Sequence, residues 1–493
     1  MRDTDFDSTH VHPAAASGSP CQKDEDDNSL GGQIQGCSGS KLPKDIWCYI
    51  HSLMPMRDAA QVACVSWDFV RSWRCHPNLH FSEKTLGLKK NACQMDGQAD
   101  FNSIVDTILK NHSGVGVKAF KFTVPSLYIK DYRNLDHLDS WLHTAVKPGI
   151  EELGLTLTID GHYNFPCSLL SGRTGGLLRY LSLGGCHFHP TVRLGCLGSL
   201  TTLRLILVNI RGSELGCIFS GSFSLERLEL RYCNNIVRLK IPRLQRLNYL
   251  EVVNCSGLRA IESKAPNLSS VSFAHICKVQ LSLENTCRIK ILNRRGGSFA
   301  FCTDLPSITP NLEALTVLSD AQMCAPIMPS NFLHLKFLSI SVGGPAFDYL
   351  SLISFLDASP SLETFILGVI GELKACVSVF DDPSDLRVIP EHHHSKLKHV
   401  KVIKFSAVKS VVELTCQILE SATSLECLTL DTTHGMPRCS VNETGKCFFM
   451  VKDALVEAHK GVMVAQTCIK PKVPSTVEFN VLEPCSRCHA VGL

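Results

Sequence analysis

From Val117 to Leu430 the chain returns repeatedly to one short pattern: an apolar residue, two variable ones, then an apolar–variable–apolar alternation. Its clearest copies are Leu178-Arg-Tyr-Leu-Ser-Leu183, Leu200-Thr-Thr-Leu-Arg-Leu205, Leu225-Glu-Arg-Leu-Glu-Leu230 and Leu247-Asn-Tyr-Leu-Glu-Val252. Further copies start at Ile150, Leu268, Leu312, Leu335, Leu362, Leu397 and Leu425, and weaker ones at Val117 and Thr286. The four clearest starts are separated by 22, 25 and 22 residues. Alternation with a period of two is that of a strand, so the fourth and sixth positions point one way and the fifth the other. One copy cannot bury its apolar row, whereas stacked copies bury a continuous one as a parallel sheet. The pattern therefore predicts a curved α/β solenoid of roughly a dozen repeats, backed by helices or irregular segments. Later spacings of 27, 35 and 28 residues place insertions in the C-terminal half.

The positions that alternate with the buried ones should form a recognition face. They are Tyr180, then Thr202, Arg204 and Ile206, then Arg227, Glu229 and Arg231, then Tyr249, Glu251 and Val253. Parallel neighbours lie ~4.8 Å apart, which makes these residues one contiguous patch. Tyr and Arg most often dominate interface energy. The expected substrate-binding residues are therefore Tyr180, Arg204, Arg227, Glu229, Arg231, Tyr249 and Glu251. Three arginines there favour an acidic or phosphorylated segment. Later copies offer the blander Phe337, Ser339, Ser341, Thr364 and Ile366. Cys186, Cys233 and Cys255 each fall eight residues after the start of a copy, where a small polarisable side chain packs inside the turn.

A different texture precedes the repeats. Residues 1–39 hold seven acidic and two basic side chains and too few large apolar ones to offset chain entropy, so they read as a disordered acidic tail. Pro43 suits the first turn of a helix. Ile46, Ile50 and Leu53 then fall on one helical face, and Met54-Pro55 stops it. Ala59, Val62, Ala63 and Val65 make a second short stripe, and Trp67, Val70 and Trp73 a third. Three helices this short cannot bury a full core, so apolar surface is left over for a partner or the next domain.

The string Leu42-Pro-Lys-Asp-Ile46, followed by Ile50, Leu53-Met-Pro55, Asp58 and Val65-Ser-Trp67, resembles the F-box. It departs in that Trp67 follows Val65-Ser66 directly, where the family usually has a basic or polar residue before its Trp. The strand–helix–strand block of 397–431 is similar to the FBD segment that ends many plant F-box/leucine-rich-repeat proteins, and the whole resembles that family over about 400 residues. The resemblance implies a non-catalytic substrate receptor of an SKP–cullin–F-box ubiquitin ligase. Leu42, Pro43, Ile46, Ile50, Leu53, Pro55, Val62, Val65 and Trp67 would dock an SKP-family adaptor and, through it, a cullin. Two other readings stay open: a repeat scaffold without ligase docking, and a small-molecule co-receptor. The layout implied is a tail over 1–39, the F-box over 40–81, a helical linker over 82–116, the solenoid over 117–435, and a capping segment and tail over 436–493.

Composition narrows the chemistry. Across 493 residues the chain is 44% hydrophobic with a net charge of +3, which argues against a nucleic-acid-coating protein. No apolar run approaches the ~18–20 residues of a membrane span. The 24 cysteines form no compact framework and read as reduced thiols of the nucleus and/or cytoplasm. Cys485-Ser-Arg-Cys488-His489 has metal-ligand spacing, but no second Cys-x-x-Cys lies nearby, so it reads as a mobile or packed tail with no metal. Glu391-His-His-His394 reads as a solvated loop, since three adjacent histidines cannot all face one ion. In the helix expected after Leu397, Val411, Leu414, Ile418 and Leu419 make the apolar face, with Glu413, Gln417 and Glu420 opposite. No catalytic constellation and no cofactor motif stands out.

Overall fold

A fifteen-stranded parallel sheet runs through the computed structural model from Asn78–Phe81 to Glu478–Leu482. The structure describes residues 42–489 except 88–95, 114–115, 125–135, 158–162, 192–196, 275–278, 285, 298, 320–324, 326, 329, 345–346, 372–375, 382–385, 390–391, 440–442 and 444. The expected acidic tail lies outside the described residues. The alternation behaves as the pattern requires. Leu181, Leu203, Leu228, Leu250 and Val271 stand in one register column, Leu183, Leu205, Leu230, Val252 and Phe273 in another, and all are buried. Cys186, Cys233 and Cys255 are also buried. Cys233 donates to Leu205 O and Arg231 O, and Cys255 to Leu230 O and Val253 O, at 3.5–3.8 Å. Burial pushes the Cys186 thiol up to about 12.

Three boundaries differ from the sequence expectation. The sheet begins at Asn78 rather than near Val117, because His76-Pro-Asn-Leu79-His-Phe81 is a copy whose first apolar place is taken by a buried histidine. The span 82–116 is therefore no separate linker: Glu83–Leu86 and Asp96–Asn111 are helices joining the first strand to the second. The copy placed at Thr286 starts at Ile289 instead. Leu292 pairs in register with Val271 and Leu315, which leaves Arg294 in the sixth, inward position, its guanidinium 5.5 Å from the Phe273 ring centre. The expected capping segment 436–493 does supply a last strand, Glu478–Leu482, which pairs with Cys427–Asp431.

Behind the main sheet the backing varies with repeat length. Gly212–Phe219 is a helix, but the next repeats carry short strands, Arg238–Ile241, Ala260–Ser263 and Gln280–Leu283, which form a second parallel sheet. At the C-terminal end Lys409–Ser421 and Lys452–Val464 are helices, the latter running on through a wider turn at Ala465–Ile469. Val464, Ala465 and Ile469 are fully buried. A recurring backbone device ends several strands. Gly185, Leu207, Tyr232, Asn254 and Lys404, each at the eighth position of its copy, have φ of +52° to +66°. L-residues enter this left-handed region at a cost of about 1–2 kcal/mol, so the turn after the strand is set by stacking rather than by local preference.

Candidate docking and recognition surfaces

The N-terminal helices are Lys44–Leu53, Met56–Ala63 and Trp67–Trp73. Trp47 packs on Phe69 with ring centres 4.5 Å apart, and the buried His51 meets Phe69 edge-on at 5.5 Å. Trp73 Nε1 donates to Met56 O at 3.4 Å. The unit is tied to the sheet through His76, whose Nε2 donates to Met54 O at 3.1 Å while its Nδ1 accepts from the Asn78 N–H at 3.1 Å, so one ring tautomer satisfies both. His112 Nε2 donates in turn to His76 O at 2.9 Å.

This small core leaves apolar surface outside, as the size argument requires. Ile46 is 40% exposed, Leu53 68%, Val65 78% and Trp67 82%, while Pro55 is exposed and Ile50 and Val62 are half-buried. Tyr49, 63% exposed, joins Ile46 and Leu53 on the first helix. It lies three residues after Ile46 and four before Leu53, on the same helical face, where an aliphatic stripe alone does not mark a tyrosine. Leu42 and Pro43, which precede the helix, are themselves exposed.

On the strand face the alternating residues stand in three columns. Tyr180, Thr202, Arg227 and Tyr249 form one, Arg204, Glu229 and Glu251 the middle one, and Ile206, Arg231 and Val253 the third. The patch is contiguous, but its charges are not all free. Glu229 and Glu251 are buried beneath the arginines. Glu229 takes Arg227 Nε at 2.7 Å, Arg204 Nε at 3.4 Å and Arg231 Nη2 at 3.9 Å. Glu251 takes Arg231 Nε at 2.5 Å and the Tyr249 hydroxyl at 2.6 Å, and the Arg227 guanidinium lies 3.7 Å over the Tyr249 ring. Burial and the Glu251 hydrogen bond push the Tyr249 phenol up to about 12. Arg227 and Arg231 are held still more firmly protonated, by Glu229 and Glu251 respectively. Tyr180 stands apart, with Lys121 Nζ 5.5 Å from its ring centre.

Two carboxylates thus offset three guanidiniums, and the patch is a pre-organised mixed-charge and aromatic surface rather than a strongly basic one. Reversing the arginines would crowd carboxylates around two buried ones and test folding instead of recognition. A cleaner variant is Tyr180→Ala with Ile206→Asp, neither of which enters the ion-pair network. The bound-protein list of this variant is expected to lose its patch-dependent members by about 30-fold or more, from ~1–2 kcal/mol for each of two anchors at 1.4 kcal/mol per factor of ten. Quantitative mass spectrometry of captured proteins, beside a circular-dichroism check of folding, reads the outcome. An unchanged list places recognition elsewhere on the chain.

Three sequence expectations need correction at the C-terminal half. The histidine run is not a fully solvated loop: His394 is buried, its Nε2 donating to Ser359 O at 2.9 Å, and His392 Nδ1 meets Asp357 Oδ1. Glu413 and Gln417 do not face solvent. The segment 386–389 crosses them, and its Arg387 and Ile389 N–H groups donate to Glu413 Oε1 at 3.0 Å and Gln417 Oε1 at 2.8 Å. Cys485 and Cys488 are not a free tail, because Cys439 and Cys447, from the segment before the Lys452–Val464 helix, meet them. These two thiols lack the paired spacing by which a sequence motif is recognised.

Comparison with known proteins agrees with this architecture. Residues 108–486 match the family model described as At1g61320/AtMIF1, LRR domain. An Arabidopsis thaliana F-box/LRR-repeat protein, At4g14096, is 23% identical over 418 residues, which is 77% of this chain and 84% of that protein. The FBD-associated F-box protein At1g66310 of the same plant is 24% identical over 419 residues, covering 79% and 88%. The putative F-box/FBD/LRR-repeat protein At5g56810 is 23% identical over 460 residues, covering 87% and 96%. The relatives support a protein-interaction role built on an F-box and leucine-rich repeats.

Proposed function

For a chain that belongs to the At1g61320/AtMIF1 leucine-rich-repeat family, we propose the role of substrate-recognition subunit in an SKP–cullin–F-box ubiquitin ligase of the nucleus and/or cytoplasm. The observation that carries this reading is the apolar surface left on Lys44–Trp73. Ile46, Tyr49, Leu53, Val65 and Trp67 are all at least 40% exposed on a unit of three short helices. Large apolar groups clustered and unpartnered on so small a unit mark a protein-binding site. The adaptor performs no chemistry in this scheme. It raises the effective concentration of a substrate lysine near the ubiquitin thioester carried by the cullin's catalytic partners. The strand-face patch, already organised by its own ion pairs, would hold the substrate with little further ordering cost.

Removing one desolvated anchor commonly costs ~2 kcal/mol. The Leu42→Ala/Pro43→Ala double variant is expected to bind a purified plant SKP-family adaptor at least about 30-fold more weakly, the loss of a single anchor at 1.4 kcal/mol per factor of ten. Isothermal titration against that adaptor measures it, and circular dichroism should show an unchanged repeat domain. Undiminished binding by the folded variant would remove the docking role and leave a repeat protein without ligase attachment.

A further inference from the structure

Four cysteine sulfurs converge beyond the last repeats. Cys439 and Cys447 follow the strand Cys427–Asp431, and Cys485 and Cys488 follow the strand Glu478–Leu482. Their Sγ atoms all lie within 4.8 Å of one another, with Cys439–Cys488 at 3.2 Å and Cys439–Cys447 at 3.6 Å. A tetrahedral site with Zn–S bonds of ~2.3 Å holds its sulfurs about 3.8 Å apart, a few tenths of an ångström beyond the two short contacts and inside the common limit of 4.8 Å. Both contacts are far longer than a disulfide's ~2.05 Å.

The surroundings suit thiolates. Cys439 N–H donates to Cys447 Sγ at 3.4 Å. Backbone donors to ligand sulfurs are the outer contacts that orient a metal site. The turn that presents Cys485 and Cys488 is closed by the N–H groups of Cys488 and His489 donating to Cys485 O at 3.2 and 2.9 Å. His489 is not a ligand here: its Nε2 donates to Phe448 O at 2.9 Å, which ties the two arms together.

We propose that Cys439, Cys447, Cys485 and Cys488 bind one structural zinc ion that clamps the last strand of the solenoid to the rest. Four protein sulfurs leave no open coordination position, so the role is structural. The location explains the need. Met450, Leu455 and Ala458 form a separate, small apolar cluster beside this segment. The strand Glu478–Leu482 has no fully buried residue. A terminal repeat must be capped, and metal binding supplies folding energy where a small core cannot.

The test uses the full chain, purified under reducing conditions without a histidine tag. Elemental analysis should give about one zinc per chain, as a Cys₄ site holds one ion. The Cys485→Ser/Cys488→Ser variant should fall to background, while Cys287→Ser, an exposed thiol on a repeat, should keep the metal. A second measurement does not depend on the variant folding. Wild-type protein stripped by a chelator and titrated with cobalt(II) should develop tetrathiolate charge-transfer absorption that saturates at one equivalent. Stripping should also speed amide hydrogen exchange across 478–482. Zinc-free protein whose four thiols alkylate freely overturns the proposal. So do two disulfides found by non-reducing mass spectrometry, or iron in place of zinc.

Discussion

Replacing Arg387 with alanine lowers the stability of the C-terminal repeats by about 2–3 kcal/mol. The Glu413 side chain is fully buried in the middle of the helix Lys409–Ser421. Its Oε1 accepts from the Arg387 N–H at 3.0 Å, and its Oε2 from Arg387 Nε at 2.9 Å and Nη2 at 2.6 Å. The same guanidinium reaches on to both oxygens of Asp348 at 3.0 and 2.8 Å. These contacts with Asp348, then Glu413, hold Arg387 still more firmly protonated. Taking one partner from a buried pair costs ~3–5 kcal/mol, because the other charge is stranded. The lower figure applies here, since the Arg387 side chain is 54% exposed and water replaces part of what is lost. Hydrogen exchange across 409–421 reads the loss locally, which matters in a repeat array that need not unfold in one step. Arg387→Met with Glu413→Gln should recover most of it, because the neutral amide strands no charge and keeps an acceptor for the backbone N–H of residue 387. A single-variant loss below about 0.5 kcal/mol, the level of an ordinary surface change, would mean that the pair is solvated.

Alanine at two helical glycines is expected to act with opposite sign. Inside a helix, Gly→Ala ordinarily stabilises by ~0.5–1 kcal/mol. At Gly216, in Gly212–Phe219, an added Cβ meets nothing within 4 Å, and the ordinary gain should appear. At Gly461 the added Cβ would sit 2.6 Å from Phe405 O and 3.2 Å from Ser406 Cα. Both are backbone atoms that cannot swing aside, so the Lys452–Val464 helix must move off the repeat. Overpacking costs ~1–3 kcal/mol, which outweighs the propensity gain. Gly461→Ala should therefore destabilise by about 1–2 kcal/mol and Gly461→Leu by about 3 kcal/mol or more. Urea unfolding of the variants beside the parent checks both signs. A stabilised Gly461→Ala protein would show that the helix is free to shift.

What the sequence disclosed was whatever repeats with a short period. Leucines at the fourth and sixth positions announced the strands, their register and the direction of the side chains between them. The pattern failed where one polar residue took an inward place: His76 hid the first strand, and Arg294 moved a start from Ile289 to Thr286. The docking helices were legible because proline, acid and apolar positions fell together, and Tyr49 was missed because an aliphatic stripe does not mark a tyrosine on the same face. Burial of a polar helix face was not legible. Glu413 and Gln417 look solvent-facing until a strap from 386–389 is laid across them, and nothing local encodes that crossing. The same holds in part for Glu229 and Glu251, which alternate outward as expected yet end up covered both by Arg227 and Tyr249 two residues away and by Arg204 and Arg231 about one repeat away. The cysteine convergence depends on segments nearly 50 residues apart, so spacing alone could not reveal it.

The division of labour within each strand also shapes how such a protein can diverge. Tyr180, Thr202 and Ile206 stand outside the ion pairs that join the three arginines to Glu229 and Glu251, so they can be exchanged one at a time. A lineage could retune what these positions recognise through single substitutions, each close to neutral for folding. The ion-paired group is different. Glu229 cannot drift alone, since Arg204, Arg227 and Arg231 all lean on it, and Arg231 is shared with Glu251. Those five positions are expected to change as a block or not at all, so descendants of this chain should keep a common centre while its margins diversify.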